Sequence, residues 1–466
     1  MNIKESLIKL GIASGLLILT LVSFFLLQHT LVYNHTLGLV SKNYVNHGDW
    51  NVSQEKIPFT TLSENNFLHW DAAHYKNVRD NSYKVNDKFG EACFAFFPLF
   101  PWIWKITNLS AIGISLFNYV LFALSLILLS SVFMDKKLPR EQRLALYALA
   151  LLLPGTVAFN IPYTESVFMF TLSLACYFLK KNVYWLFVFF LMLFAFTRPA
   201  ITIILASIVC TDIYFALMGR TYQTSPGKIA LRIFPLLIGT FAALYIQYLY
   251  SGHWFKVFEV QHNWGYQDFH IPTKFKDWSE EGYGMSVFTL VGVFLPALYF
   301  LLSSFFKKFT LKPIKPATQH SFEQNKEYLF TLSLFYMVGI TLFTLFFRGG
   351  SLNGLHRYAL ATPFFYIVLF MLPEKLITLS NRTKLWMFLA ILLAGTAFFF
   401  INGYSRGYSF PHNGFHLFVL CFGYMLFANN LPTKKKVIVT FLLFGFLIVW
   451  KTYLLNMFLS DGWIYT

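Results

Sequence analysis

Residues 10–33 read LGIASGLLILTLVSFFLLQHTLVY, an apolar run without Asp, Glu, Lys or Arg. A helix of about 20 apolar residues is long enough to cross the hydrocarbon core of a bilayer. The run is longer than the apolar part of a cleaved signal peptide, about 7 to 15 residues, so we expect it to remain as a membrane span. The rest of the chain is similar, since 56% of its residues are hydrophobic and 12% are charged.

Further apolar runs follow along the whole chain of 466 residues. Soluble domains contain roughly 25% charged residues, so this composition predicts an all-α polytopic membrane protein. We expect one membrane domain, residues 1–466, with about 11–13 transmembrane helices. The predicted spans are residues 10–33, 110–133, 144–160, 163–179, 183–197, 200–218, 229–250, 286–306, 328–347, 355–372, 385–402, 415–428 and 437–457.

Positive charge is unevenly distributed between the loops. The N-terminal segment and every second loop after it carry 22 of the 37 Lys and Arg residues, but seven of the 21 acidic residues. Short cytoplasmic loops are enriched in Lys and Arg, so we expect the N-terminus and these loops to be cytoplasmic. This orientation accounts for nearly all of the net charge of +16. Nucleic-acid binding is not needed to explain it.

Two longer polar segments fall on the opposite, outer side. Residues 34–109 form the first outer loop, which is long enough for helices that lie on the membrane surface. Residues 251–285 form a second outer loop rich in His, Trp and acidic residues. Three of the four cysteines lie in predicted spans and Cys93 lies in the first outer loop. The sequence therefore supports neither a disulfide framework nor a cysteine-ligated metal site.

The first outer loop contains HWDAAHY at residues 69–75. If this segment is helical, Asp71, His74 and Tyr75 share one face. A carboxylate held there is suited to act as a general base toward a hydroxyl group, and Trp70 offers a flat apolar surface beside it. In the alternative, structural interpretation, Asp71 caps the helix and the aromatic residues anchor it at the bilayer edge. A metal site is less well supported, because Asp71 and His74 lack a defined third ligand.

Two motifs with prolines follow. FAFFPLFP, at residues 94–101, contains two prolines that we expect to prevent a regular helix and to bend the chain at the interface. PGTVAFNIPYTE, at residues 154–165, breaks an apolar run, and broken helices at membrane depth are tolerated where they line cavities. It places Tyr163 and Glu165 at the start of the next span. Glu165 either caps that helix, where the helix dipole favours a carboxylate, or binds sugar hydroxyls or positions an Arg.

Positive side chains lie at the same predicted level of the membrane as these acids. Arg198 lies at an outer junction of two spans, and Arg348, His356 and Arg357 lie in a later outer turn. Ionisable groups at membrane depth are costly unless they are paired or hydrated. Arg donates through a planar fork that matches a phosphate group, so we expect these residues to bind an anionic group. For any single Arg, the alternative is contact with lipid headgroups.

Four motifs occur in an order that resembles the PIG-V type of integral-membrane mannosyltransferase, the family of the enzyme that adds the second mannose to glycosylphosphatidylinositol precursors and of bacterial relatives. They are WDAAHY (70–75), FAFFPLFP (94–101), PYTESVF (162–168) and FTRPAI (196–201). The resemblance covers about residues 67–201. Beyond this stretch the match is limited to hydropathy and an outer turn that carries Arg.

The resemblance implies a GT-C fold, the class of multi-spanning glycosyltransferases that use a polyprenyl-phosphate sugar on the outer face and need no nucleotide site. Asp71 matches the first-loop carboxylate proposed as catalytic in the family. Glu165 matches the acidic position of the third motif, and Arg198 a basic position after the fifth span. A bacterial homologue is expected, in which the acceptor is another glycolipid or glycan rather than a glycosylphosphatidylinositol precursor.

The expected activity is inverting transfer of a hexose, mannose by resemblance, from a polyprenyl-phosphate donor to a glycolipid or glycan, with Asp71 as general base. The residues expected to bind substrate are Trp70, His74, Tyr75, Tyr163 and Glu165. Those expected to bind the donor phosphate are Arg198, Arg348, His356 and Arg357. The last three lie beyond the matched stretch and rest on charge and position alone.

No metal or other cofactor is expected, because the donor phosphate is the leaving group and Arg neutralises it. Expected partners are membrane lipids, the donor and the acceptor, without nucleic acid; a small membrane subunit is left open. The expected location is a bacterial inner membrane, or the endoplasmic reticulum membrane in a eukaryote.

Two other classes of function stay open. A lipid-linked oligosaccharide transporter favours charges buried through several spans, and a polysaccharide polymerase or ligase typically carries Arg and His in a large late loop.

Overall fold

The computed structural model describes residues 3–28, 60–220, 224–263, 269–273, 275, 280–310, 322–377, 379–402 and 410–461. Residues 34–59 of the predicted first outer loop lie outside the described residues, as do residues 264–268, 274 and 276–279 of the second. The described residues are almost entirely helical, and they contain no strand beyond one isolated bridge between Asn86 and Gly90.

The described helices are numbered here in chain order. Those of the first half are α1 (Ile3–Gln28), α2 (Asp71–Asn81), α3 (Leu99–Thr107), α4 (Ala111–Phe133), α5 (Arg140–Leu152), α6 (Glu165–Lys180), α7 (Tyr184–Ala195), α8 (Ile201–Leu217) and α9 (Pro226–Ser251). Those of the second half are α10 (Lys256–Asn263), α11 (Glu280–Phe288), α12 (Leu295–Thr310), α13 (Phe322–Phe347), α14 (Leu355–Leu360), α15 (Pro363–Ile377), α16 (Asn381–Ile401), α17 (Phe410–Phe427) and α18 (Thr433–Leu459).

Seven helical segments among the described residues are long and apolar enough to cross a membrane. They are Ile3–Leu27, Ala111–Phe133, Pro226–Ser251, Gly282–Phe306, Phe322–Phe347, Asn381–Ile401 and Thr433–Leu459. The segment Gly282–Phe306 includes a π-helical stretch, Thr289–Phe294, that joins α11 to α12. These helices support the predicted all-α polytopic membrane protein, since each corresponds to a predicted span.

The other six predicted spans correspond to shorter or divided helices. Residues 144–160 divide into α5 and a short 3₁₀ helix, Thr156–Asn160, because Pro154 interrupts the apolar run as predicted. Residues 355–372 divide likewise into α14 and α15. The expected 11–13 spans therefore outnumber the seven described helical segments that are long enough to cross a membrane, because hydropathy counts short helices and divided runs as whole spans.

The FAFFPLFP motif differs from its prediction. A regular helix, α3, begins at Leu99 directly after Pro98, and Pro101 lies within its first turn. The expectation that both prolines prevent a helix was wrong, because the first backbone N–H groups of a helix have no partner inside it and proline costs little there. Gln247 and Tyr83 hold the preceding segment by donating to the carbonyl of Phe96, at 3.2 and 2.7 Å.

Packing of the membrane helices brings three helix starts together. α4 packs along α6, α13 packs against α8 and α15, and α1 packs against α18. At one end of this arrangement the starts of α2, α6 and α14 carry acidic and basic residues that contact one another. The short helices α2 and α3 pack together beside them.

Candidate functional site

Arg357 joins two of the predicted acids. Its Nη1 donates to Oδ2 of Asp71 at 2.6 Å, and its Nε donates to Oε1 of Glu165 at 2.5 Å. Arg198 adds a third contact, with its Nη1 3.1 Å from the same Glu165 oxygen. We call Asp71, Glu165, Arg198 and Arg357 the charge cluster. Its members come from parts of the chain up to 286 residues apart.

The charge cluster is nearly closed to solvent. The side-chain exposure is 13% for Asp71, 12% for Arg198, 3% for Arg357 and 0% for Glu165. An isolated buried charge is strongly destabilising, whereas here each carboxylate has a guanidinium partner at hydrogen-bond distance. Two negative and two positive charges thus balance one another in a site with little exposure to solvent.

Asp71 is the first residue of α2, a helix that matches the prediction from HWDAAHY. The residue before it, Trp70, has φ of 52° and ψ of −129°. Non-glycine residues rarely adopt a positive φ, and such strain persists where surrounding contacts fix it, often at functional sites. The Asp71 carboxylate binds Arg357 across the fold, so its contact extends well beyond a local capping role.

The loop before Glu165 is fixed by a buried residue of α4. Asn118, fully buried, donates through Nδ2 to the carbonyls of Ile161 and Tyr163, at 2.7 and 2.8 Å. Thr164 does not cap α6 with its side chain; its hydroxyl donates to the Thr197 carbonyl at 3.4 Å. This bond connects the turn that carries Glu165 to the turn that carries Arg198.

An aromatic ring lies beneath the charge cluster. The guanidinium carbon of Arg357 lies 4.5 Å from the centre of the Tyr163 ring, within the range of a cation–π contact. The hydroxyl of Tyr163 and Oε2 of Glu165 are buried, and neither has a hydrogen-bond partner in the part of the chain that the structure describes. Buried polar atoms normally have partners, so these two are suited to bind the hydroxyl groups of a ligand.

His74 and Tyr75 face the FAFFPLFP segment. The His74 ring stacks on Phe96 with centroids 5.1 Å apart, and the Tyr75 ring meets Phe96 edge-on at 4.8 Å. Burial lowers the pKa of His74, an effect that Asp71 partly opposes, and burial raises the pKa of Tyr75. Both side chains are therefore neutral near pH 7. Tyr75 also lies 6.4 Å from Tyr163, between centroids, which places it at the edge of the cluster.

Arg348 precedes the turn before α14, and His356 is the second residue of α14. Arg348 donates through Nη1 to the carbonyl of Asn353, and its guanidinium carbon lies 6.0 Å from the centre of the Tyr358 ring. Arg198 approaches the same ring at 5.7 Å, so Tyr358 contacts both guanidinium groups. Nδ1 of His356 lies 3.1 Å from the hydroxyl of Ser286 in α11, so this nitrogen faces α11.

Residues at the end of α18 and just after it also border the site, although they are far from it in the sequence. Phe458 packs edge-on against Tyr163 with centroids 5.8 Å apart. Nδ1 of His69 lies 3.1 Å from Oδ1 of Asp461. Sequence reasoning missed Phe458, Asp461 and Tyr358, because nothing in their local sequence distinguishes them from ordinary aromatic or terminal residues.

Of the predicted site residues, the structure brings Asp71, Glu165, Arg198 and Arg357 into direct contact. Tyr75 and Tyr163 border them, and Arg348 adjoins them through Tyr358. Trp70, half-buried, precedes Asp71. Within the described residues, no group of three His, Cys, Asp or Glu side chains could hold a metal ion. Comparison of the chain with protein-family models, curated proteins and solved structures finds no match.

Proposed function

We propose that the protein is an inverting glycosyltransferase of the GT-C class. It moves a hexose, mannose by resemblance, from a polyprenyl-phosphate donor to a glycolipid or glycan acceptor at the outer face of the membrane. The proposal includes about 11–13 spans, with the shorter helices completing the bundle, and a cytoplasmic N-terminus. The observation that carries it is the contact of Arg357 with Asp71 and Glu165, two acids of the motifs that resemble PIG-V enzymes.

Charge balance supports an anionic donor. The charge cluster is neutral, and Arg348, which contacts the same Tyr358 ring as Arg198, brings the group to a net charge of +1. A sugar phosphodiester carries one negative charge, which this group neutralises. After Asp71 takes a proton the group carries +2, and the polyprenyl phosphate that leaves is close to a dianion. The same five side chains therefore match the charge of the donor and that of the leaving group.

The proposed reaction needs one base and one neutralised leaving group. Asp71 removes the proton from the acceptor hydroxyl, and the oxygen forms a bond to the anomeric carbon. The bond from that carbon to the phosphate oxygen breaks, and its electron pair leaves with polyprenyl phosphate. Attack opposite the leaving group inverts the anomeric configuration. Tyr163 and Glu165, through the buried atoms Oη and Oε2, offer hydrogen bonds to sugar hydroxyls.

Arg357 connects binding of the donor to the availability of the Asp71 carboxylate as a base. Its Nη1 donates to the Asp71 carboxylate, and a donor phosphate would compete for the same guanidinium, which favours forked contacts with phosphate oxygens. Movement of Nη1 from Asp71 to the phosphate frees the carboxylate to accept a proton. Arg198 and Arg357 both contact Glu165, so that acid keeps the two guanidinium groups side by side.

Exchange of Asp71 tests this mechanism. Purified full-length protein in liposomes is incubated with radiolabelled polyprenyl-phosphate mannose and a membrane lipid extract. Asp71→Asn keeps the size of the side chain but removes the base, so we expect transfer to fall at least about 100-fold. Asp80→Asn is the matched control, because Asp80 lies on the same helix but pairs with Lys76 at the surface. Undiminished transfer by a folded Asp71→Asn protein would refute the role of Asp71.

A further inference from the structure

A cavity of about 170 Å³ lies between helices α6, α7, α8, α9 and α13. Its walls are mostly apolar and include Leu172, Cys176, Phe187, Leu191, Ile208 and Leu236. An apolar cavity of about 150 Å³ is large enough to bind a benzene molecule. This cavity therefore has room for a segment of hydrocarbon chain.

The cavity follows the helices lengthwise. On α7 its lining residues extend from Tyr184 to Phe194, and on α13 they extend from Phe322 to Leu332. Ten residues of helix rise about 15 Å. This equals half of the hydrocarbon core, which is about 30 Å thick. The length of the cavity thus corresponds to one leaflet of a bilayer.

One end of the cavity is basic. Lys228 and Arg232 line it near the start of α9, together with Asn182 and Asn325. The ammonium group of Lys180 lies 5.7 Å from the centre of the Phe322 ring, which is also part of the lining. Polar and positive groups therefore surround the end at which the apolar lining finishes.

The acids near this end are fewer than the bases. Asp212 pairs with Arg232 at 2.7 Å, Glu323 pairs with Lys326 at 3.2 Å, and Glu327 pairs with Arg220. Lys180 and Lys228 add two further positive charges. Among the described residues at this end, positive charge therefore exceeds negative charge, which favours an anionic ligand.

We propose that this cavity binds one acyl chain of an anionic phospholipid, with the lipid phosphate at Lys228. The basic end is the one that the sequence predicts to be cytoplasmic, and anionic lipids concentrate in that leaflet. The site is distinct from the charge cluster, because its basic end lies at the far ends of α6 and α7 from Glu165 and Arg198. It does not rest on the proposed glycosyl transfer.

Photolabelling in nanodiscs tests the proposal. The full-length protein is reconstituted in phosphatidylcholine with a trace of phosphatidylglycerol that carries a photoreactive group in the middle of one acyl chain. We expect labelled peptides from α7, α9 and α13, and weaker labelling when the photoreactive lipid is phosphatidylcholine. Lys228→Gln should lower this labelling about fivefold, the effect of one lysine near an anionic lipid surface.

A second pair of variants separates the cavity from the outer surface of the same helix. Leu231 lines the cavity, so Leu231→Trp should fill it and abolish labelling inside it. Leu237 is 46% exposed on the same helix, so Leu237→Trp should leave labelling unchanged. Equal labelling of wild type and Lys228→Gln, or labels on outward-facing residues alone, would overturn the proposal. Displacement of the label by polyprenyl phosphate at an equal mole fraction would also overturn it, because the occupant would then be a polyprenyl chain.

Discussion

At the scale of single residues, Arg357 connects the two acids of the charge cluster. One guanidinium group binds two carboxylates, through Nε and Nη1, in a site that is almost fully buried. A lysine has a single ammonium group and cannot reproduce this geometry. Arg357 therefore holds the site together as well as facing the expected donor phosphate.

Removal of Arg357 should be costly for folding. Arg357→Ala leaves two buried carboxylates without this partner, and loss of one side of a buried ion pair costs about 3–5 kcal/mol. Lys76→Ala, which breaks an exposed pair with Asp80, should cost about 1 kcal/mol or less. Unfolding free energies from denaturant titration in mixed micelles measure both. Addition of Glu165→Gln to Arg357→Ala should recover part of the lost unfolding free energy. If nothing is recovered, broken ion pairs are not the cause of the destabilisation.

His74 should make the stability of the protein depend on pH. Its pKa is lowered below the ordinary 6.5 by burial, with Asp71 partly opposing. Below about pH 6.5 the unfolded chain binds a proton that the folded protein does not, so the free energy of unfolding falls as the pH falls. His74→Phe keeps the stack on Phe96 and removes the titration. Its thermal midpoint should fall less than that of wild type between about pH 7.5 and 5.5; parallel curves would contradict this explanation.

Sequence reasoning identified the residue types of the site but not their pairing. It predicted that Asp71, Glu165 and several Arg side chains lie at one level of the membrane, because charged groups are rare in so apolar a chain. It did not select Arg357 over Arg348, since both lie in the same turn and only packing decides which one reaches the carboxylates. The strained backbone of Trp70 was equally hidden, because no local sequence signal requires a positive φ at tryptophan.

At the scale of helices, close packing of backbones positions the membrane bundle. Gly239 of α9 faces α7 so closely that an added Cβ would overlap the carbonyl oxygen of Met192 and press on Ala195. Small residues at helix interfaces allow this kind of approach in membranes. Because α7 leads directly to Arg198, its separation from α9 affects both the charge cluster and the cavity that α7 and α9 line.

Gly239→Ala should therefore force α7 and α9 apart. Overpacking of a tight contact costs about 1–3 kcal/mol, which thermal unfolding in detergent can detect. Gly445→Ala is the control, because an added Cβ at Gly445 in α18 meets nothing within 4 Å. That change should be neutral or stabilise by up to about 1 kcal/mol through helix propensity. Equal midpoints for the two variants would show that the close approach of α7 and α9 does not limit stability.

The positions of helices could be predicted from the sequence only where hydropathy and proline positions determine them without help from long-range packing. The long spans and the break at Pro154 followed from apolar length and from the missing N–H of proline. The start of α3 at Leu99 did not, because whether a proline begins a helix or bends a chain depends on the contacts around it. The docking of α18 against the site also depends on long-range packing that periodicity does not encode.

At the scale of the whole molecule, the asymmetric distribution of bases predicts the orientation. Asp80 and Lys137 are both exposed, and they fall on opposite predicted sides. Cysteines placed at these positions, in a Cys210→Ser background whose other three cysteines are buried, can be probed with a membrane-impermeant maleimide. We expect Asp80→Cys to react in intact cells and Lys137→Cys to react only after permeabilisation. The reverse result would invert the topology and move the charge cluster to the cytoplasmic side.

Sugar transfer at the charge cluster is the activity that we propose for the whole molecule. The most direct test follows label and lipid together in a single turnover of the wild-type protein, with polyprenyl-phosphate mannose as donor. We expect one polyprenyl phosphate released for each sugar transferred, and a product whose anomeric configuration is opposite to that of the donor. Movement of intact donor across the bilayer without release of polyprenyl phosphate would contradict the account and identify a transporter.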